Sequence, residues 1–138
     1  MKKIVTLVLT LFGIAGFCFA ADVSVVIEIS NVAINEGKLF GEAYYSEAAY
    51  KNKIPDISFQ ADSTGQTVIK EVKLPEGDCV IRVFQDRNEN GILDHGLFPK
   101  EPVGMTNYNG GIPANFDKLK VKISNNSEKI IIKLIKFL

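Results

Sequence analysis

The sequence has few of the residues that cross-link a small domain or bind zinc. It contains two cysteines and one histidine, and only Cys79 lies outside an N-terminal apolar segment that we expect to be removed. An intramolecular disulfide is therefore excluded in the mature chain. Zinc is disfavoured because one histidine and one cysteine cannot supply its usual ligands. Cys79 begins the apolar stretch 79–84, where we expect a buried thiol that packs like a small hydrophobe.

The chain also lacks an excess of charge of either sign. Its 16 basic side chains balance 16 acidic ones, and removal of Lys2 and Lys3 leaves 14 against 16, a net charge of about −2. Nucleic acid and anionic lipid surfaces attract basic proteins. We therefore expect no nucleic-acid partner.

The apolar run 4–17 is too short to span a membrane comfortably. It follows two lysines and leads to the small residue Ala20. This arrangement is typical of a secretory signal peptide. We expect a signal peptide at 1–20, a single domain at 21–138, a periplasmic or extracellular location, and no stable membrane span after cleavage. The alternative, a lipoprotein processed at Cys18, is disfavoured because Phe17 is bulky.

Long stretches with a helical apolar period are absent from 21–138. The segment is rich in Val, Ile, Phe and Tyr, with turn residues every eight to twelve positions or so, which predicts an all-β sandwich or barrel. We predict strands at 23–29, 38–45, 67–74 and 79–85. Near the end, Leu119, Val121 and Ile123 alternate with lysines and predict another strand. We expect it to form an antiparallel hairpin with a final strand at 129–137.

Two segments do not fit a strand pattern. Residues 46–55 are compatible with a single helical turn or with a loop. Residues 86–111 contain many Gly, Pro and Asn residues and are too long for an ordinary turn. Because long ordered loops in compact domains are often functional, we expect the second segment to carry a site.

The segment 86–94 contains the clearest chemical pattern in the sequence. Oxygen-bearing side chains occupy loop positions one, three, five and nine, and glycine occupies position six: Asp86, Asn88, Asn90, Asp94 and Gly91. These are the spacings of an EF-hand-type calcium loop, in which alternate residues direct oxygens at one hard cation. Ile92, at position seven, would contribute its backbone carbonyl.

The pattern departs from a full EF-hand at position twelve, where Leu97 replaces the bidentate glutamate. Glu101 is the nearest candidate to close the site. With so few charged ligands we expect weak calcium binding, with a dissociation constant on the order of 10⁻⁴ to 10⁻³ M. The alternative interpretation is that Asn90-Gly91 forms a type I′ hairpin turn among solvated polar neighbours.

Other candidate site residues are less specific. His95 lies beside Asp94, so a base oriented by a carboxylate is conceivable, but no nucleophile with matching geometry is identifiable. Tyr44, Tyr45, Tyr50 and Tyr108 could line a sugar- or peptide-binding face, although strand tyrosines more often pack in the core.

Several motifs in order resemble a bacterial secreted family, domain of unknown function 2141. They are a signal peptide, Gly37-Lys38-Leu39-Phe40, Leu74-Pro75-Glu76-Gly77, Asp86-Arg87-Asn88-Glu89-Asn90-Gly91, Pro99-Lys100-Glu101-Pro102-Val103-Gly104-Met105-Thr106-Asn107, and Pro113-Ala114-Asn115-Phe116. Gln85 and Thr106 depart from the histidine and serine that are frequent in the family. The resemblance implies export and a transthyretin-like or immunoglobulin-like fold, and it implies no activity.

The sequence thus predicts an all-β protein, a single antiparallel β-sandwich of about seven strands. We expect it to be non-catalytic, with one structural calcium ion held by Asp86, Asn88, Asn90, Ile92, Asp94 and Glu101. The partner would be a glycan, peptide or envelope protein. The alternatives are an envelope hydrolase that uses the acidic loop with His95, and a structural module that pairs through an exposed edge strand.

Overall fold

The computed structural model describes residues 22–94, 98–113 and 115–137. The expected signal peptide at 1–20, the cleavage site before Ala21, Cys18, His95 and Leu97 lie outside these residues. The described elements are eight strands and two short helices. They are β1 (Asp22–Ser30), β2 (Lys38–Tyr44), α1 (Glu47–Asn52), β3 (Ile57–Asp62), β4 (Val68–Pro75), β5 (Gly77–Asp86), β6 (Val103–Met105), α2 (Phe116–Leu119), β7 (Val121–Ile123) and β8 (Ile130–Lys133).

The strands form two sheets of a β-sandwich. The first sheet has the order β4-β1-β8, and the second has the order β3-β2-β5-β6. Strand β7 pairs with the beginning of β5, whereas β6 pairs with its later part. All pairs are antiparallel except β1 with β8, which is parallel. The predicted all-β sandwich is confirmed.

The core lies between the sheets and follows from the two-residue period of the strands. In β1, every second residue from Val23 to Ile29 is buried while its neighbours are more exposed. These residues join apolar side chains of β2, β4, β5 and β8 in one cluster that includes Cys79. Burying a valine or isoleucine side chain is worth about 1.5–3 kcal/mol, so this cluster is a main source of stability. The prediction that Cys79 is a buried thiol is confirmed.

Strand β5 is buried on both faces, which explains its mainly apolar run at 79–84. Its residue Val80 belongs to a second buried cluster with Met105, Tyr108, Phe116 and Leu119. This smaller cluster packs outside the sandwich core, where α1 and α2 lie near each other. It therefore fixes the connection after β6 against the second sheet.

The four strands predicted between residues 23 and 85 are confirmed, and α1 confirms the helical-turn interpretation of 46–55. The side chain of Ser46 caps α1 by accepting a hydrogen bond from the Ala49 N–H. Strands β3 and β6 were not predicted. In β3 none of the residues is fully buried, and β6 is a three-residue strand within a segment rich in turn residues, so neither shows a strong strand pattern.

The predicted terminal hairpin is wrong. Leu119 ends α2, which Asn115 caps, and does not belong to a strand. Strands β7 and β8 lie in different sheets, because β7 pairs with β5 and β8 pairs with β1. The pairing of β8 with β1 is parallel. Nearly the whole chain separates β1 from β8, so the long crossover that parallel pairing requires is present.

The two helices are short, and no helix in the described part of the chain is long and apolar enough to cross a membrane.

Candidate functional site

The oxygen-rich loop connects the end of β5 to β6. Asp86 is the last residue of β5 and is 1% exposed. Its carboxylate accepts hydrogen bonds from the backbone N–H groups of Asn90 (3.2 Å) and Gly91 (2.7 Å). The chain therefore curls back over Asp86, as the spacing predicts.

This curl differs from a type I′ hairpin turn. Such a turn needs positive φ at two consecutive central residues. Here φ is positive at Glu89 (57°) and Gly91 (79°), and Asn90 between them is not in the positive-φ region. The tight-hairpin alternative for Asn90-Gly91 is therefore wrong.

Positions three, five and nine of the loop are also in contact. The amide nitrogen of Asn88 donates to Asp94 Oδ2 at 2.5 Å. The amide nitrogen of Asn90 donates to both carboxylate oxygens of Asp94, at 2.9 and 3.0 Å. In this arrangement the two asparagines present N–H donors to Asp94. Rotating each amide by half a turn would present a carbonyl oxygen in the same direction.

Glu101 closes the loop from the other side. It is 5% exposed, and its carboxylate accepts hydrogen bonds from the N–H groups of Arg87 (3.1 Å) and Asp94 (3.3 Å). Burial raises the pKa of Glu101, and the charges of Asp86 and Asp94 raise it further, while the two N–H bonds lower it. Glu101, which the sequence predicts as the residue that closes the site, therefore lies near Asp86 and Asp94.

Three carboxylates are gathered at this loop without a basic partner in the described residues. None of the ion pairs found within 22–94, 98–113 and 115–137 involves Asp86, Asp94 or Glu101. The neighbouring Arg87 pairs with Glu36 instead. A cavity of about 480 Å³ opens beside the loop, between Asp94, Glu101 and Lys100.

The donor set fits a hard cation, because carboxylate and amide oxygens are the ligands that calcium prefers. The arrangement fits less well. Among the described residues, no three His, Cys, Asp or Glu side chains are grouped so that they could hold a metal ion. Asn88 and Asn90 direct N–H donors, and not oxygens, towards Asp94. Calcium coordination would therefore require rotation of these two amide groups.

The structure does not bring the other residues considered in the sequence analysis together at one site. Ile92 is 62% exposed, and its N–H donates to Asn90 Oδ1 at 3.1 Å. Leu93 lines an apolar cavity. Tyr50 and Tyr108 line the same cavity, whereas the hydroxyls of Tyr44 and Tyr45 bond to Glu42 and to the Pro75 carbonyl. The structure thus brings together two of the four tyrosines.

Sequence reasoning did not anticipate the role of Gln85. It is fully buried, and its amide nitrogen donates to the carbonyls of Ala33 (2.6 Å) and Glu36 (2.9 Å) while its oxygen accepts from the Ala33 N–H (3.0 Å). Gln85 therefore anchors the β1–β2 connection next to the loop. The available signal was a polar residue that directly follows the mainly apolar run 79–84.

The fold and the loop define a class of protein: a small β-sandwich with an oxygen-rich loop between two strands of one sheet. A family described as an uncharacterized protein conserved in bacteria, DUF2141, matches residues 27–131. The match runs from β1 into β8 and includes the loop. The chain therefore belongs to this family, which confirms the resemblance seen in the sequence. No curated protein and no solved structure matches the chain.

Proposed function

We propose that the protein is an exported, non-catalytic binding module in which the loop 86–101 holds one structural calcium ion. The observation that carries the proposal is the acidic character of the loop. Asp86 and Glu101 are almost fully buried, Asp94 is close by, and no lysine or arginine pairs with them in the described residues. Backbone N–H groups offset part of the cost of burying these negative charges, and a divalent cation would offset more of it.

The ion would be held by the side-chain oxygens of Asp86, Asn88, Asn90, Asp94 and Glu101 and by the Ile92 carbonyl. Its chemical contribution is positive charge and several short bonds to oxygen. Asp86 ends a strand and Glu101 lies just before the next one, so an ion between them would tie together the two ends of the connection. The expected role is therefore to order the loop.

Export is part of the proposal and is supported by the pattern of residues 1–20. A weak calcium site suits an exported protein, because extracellular modules bind calcium in about the 10⁻⁴ to 10⁻³ M range. We propose that a glycan, peptide or envelope protein is recognised on the face shared by α1 and the loop. Tyr50 and Tyr108 support this location, since both contribute to the cavity there.

Thermal unfolding of residues 21–138 with and without calcium tests the metal site. An ion that binds only the folded chain at a ten- to hundredfold excess over its dissociation constant stabilises it by roughly 1.4–2.7 kcal/mol. For a domain of this size the midpoint should be roughly 5–15 °C higher in 10 mM calcium than in excess chelator.

Asp94→Asn is the diagnostic variant, because it removes one charge and leaves the shape of the side chain and the bonds of Asp86 in place. We expect it to abolish most of the calcium-dependent rise. Asp62→Asn, which changes an exposed carboxylate at the end of β3, should retain the full rise. Equal midpoints in calcium and chelator for the unmodified chain would refute the metal site and leave the hydrogen-bonded loop as a purely protein structure.

A further inference from the structure

A second, apolar cavity lies between α1, the connection that contains the loop, and the C-terminal segment. Its volume is about 450 Å³, within the range of roughly 300–1,000 Å³ that is typical of small-molecule sites. Its walls are mainly apolar and aromatic. Those walls include Tyr50, Phe98, Val103, Met105, Tyr108 and Phe137.

The walls are held by contacts that do not need a ligand. Val103, Met105 and Tyr108 are each less than 10% exposed. The Tyr108 hydroxyl donates to the Gly111 carbonyl at 2.6 Å, and the Tyr50 hydroxyl lies 3.8 Å from the Met105 sulfur. The rings of Phe98 and Phe137 stack with centroids 6.2 Å apart. The cavity is therefore largely preformed, which lowers the cost of ordering side chains on binding.

Apolar side chains at the mouth of the cavity remain in contact with water. Ile112 is 94% exposed and Phe98 is 55% exposed, and both line the opening. Folding leaves this apolar surface uncovered, although burying it would be favourable. Such exposed patches are typical of binding sites.

The charged groups of the lining are all basic. Lys51, Lys53 and Arg82 contribute to it, and none of its described residues is acidic. Arg82 donates to Glu42 from Nε at 2.9 Å and from Nη2, which uses two of its five N–H donors. Lys51 pairs with Glu47 on the solvent side. Lys53 takes part in none of the ion pairs found among the described residues.

We propose that this cavity binds a small amphipathic carboxylate, such as a medium-chain fatty acid, with its alkyl body inside and its carboxylate among the basic residues at the mouth. The apolar walls supply affinity for the alkyl body, and the basic residues select an anion over a neutral or cationic head group. A sugar fits less well, because its hydroxyls would lose water without gaining partners on these walls. This site goes beyond the proposed function, since a macromolecular partner could still use the surrounding face.

Isothermal titration with three ligands of similar chain length tests the proposal on residues 21–138. Octanoate, 1-octanol and octyltrimethylammonium carry similar alkyl chains, and their head groups are anionic, neutral and cationic, respectively. Octanoate should bind saturably at one site, about two- to fivefold more tightly than octanol, as expected for one exposed ion pair. Octyltrimethylammonium should bind most weakly. Equal affinities, or no saturable octanoate binding, would overturn the proposal.

Variants at the mouth locate the site. Ile112→Asp places a negative charge at the opening without disturbing buried residues, so octanoate binding should weaken by about tenfold or more. Ile69→Asp is the matched control, because Ile69 is 64% exposed and lies on β4, outside the lining. Lys53→Asn should weaken octanoate binding by about two- to fivefold. Asparagine is chosen because it tolerates the left-handed backbone conformation at position 53, where φ is 55°. Unchanged octanoate binding in Ile112→Asp would refute the assignment.

All titrations are made in chelator, so their result is independent of calcium. An unfolding midpoint that calcium does not raise, together with intact octanoate binding, would refute only the metal site. A midpoint that calcium raises, without octanoate binding, would refute only the carboxylate site.

Discussion

Two polar side chains show how single residues hold the connections of this sandwich. Gln85 forms hydrogen bonds with three backbone groups of the β1–β2 connection. The Thr106 hydroxyl is buried between β5 and α2, where it accepts from the Ile81 N–H at 3.2 Å and donates to the Leu119 carbonyl at 2.7 Å. A serine hydroxyl at position 106 could make the same two bonds, so they do not depend on the methyl group of Thr106.

Cys79 gives a prediction for the dependence of stability on pH. Burial raises the pKa of its thiol to about 11, although a hydrogen bond with Tyr45 opposes the shift. The folded chain therefore holds this proton more tightly than the unfolded chain does. The resulting stabilisation is complete below about pH 9 and is lost as the pH rises towards 11.

We expect the urea midpoint of the unmodified chain to fall more steeply between pH 9 and 11 than that of Cys79→Ala. The variant is less stable at pH 7 because it loses a buried sulfur atom, so the comparison concerns slopes and not absolute midpoints. The other tyrosines are common to both chains. Because Cys79 also raises the pKa of Tyr45, Tyr45→Phe is introduced into both chains. Parallel curves would show that the thiol does not contribute.

At the scale of elements, the two sheets meet where β6 passes beside β8. Val103 and Ile135 exchange backbone hydrogen bonds of 3.1 and 2.9 Å across this contact. A Cβ atom on Gly104 would lie 2.4 Å from the Lys133 carbonyl oxygen. The absence of a side chain at Gly104 therefore permits the close approach of the two strands.

Gly104→Ala should lower the free energy of unfolding by about 1–3 kcal/mol, because the added methyl group meets backbone and not a flexible side chain. Gly65→Ala is the control, since the nearest atom to its added Cβ is 3.4 Å away. We expect the control to change stability by no more than about 0.5 kcal/mol. Urea unfolding of both variants measures the difference, and equal effects would contradict the proposed steric cause.

At the scale of the molecule, β8 joins the C-terminal residues to the N-terminal strand. Ile132 is fully buried in the main core and Leu134 follows it there, whereas Ile131 is 61% exposed on the opposite face. A terminal hairpin would have been a peripheral element. Pairing with β1 instead places β8 at an edge of the first sheet, and we expect it to unfold together with the rest of the domain.

Ile132→Ala should therefore cost about 2–5 kcal/mol, as for other buried large-to-small replacements, and unfolding should remain a single transition. Ile131→Ala, one residue earlier, should change stability by about 0.5 kcal/mol or less. Circular dichroism and tyrosine fluorescence during urea unfolding provide two independent probes. Early loss of only part of the signal in Ile132→Ala would show that β8 unfolds separately.

The sequence by itself determined the local features of this protein. The alternating apolar residues of β1 and the turn residues around β2, β4 and β5 predict strands. Successive side chains of a strand point to opposite faces, so they alternate between solvent and core. The oxygen spacing of 86–94 predicts a loop that curls over Asp86, and Glu101 was identified as its nearest acid. Both predictions depend on interactions between residues close in the chain.

Only the tertiary structure decided which strands are neighbours and which side chains form the cavity. The pairing of β8 with β1, the burial of both faces of β5 and the meeting of Tyr50 with Tyr108 and Phe137 join residues far apart in sequence. A two-residue period shows that one face of a strand is buried, but it does not show which partner buries it. Strand order is set by the combination that covers the most apolar surface, and that combination depends on the whole chain.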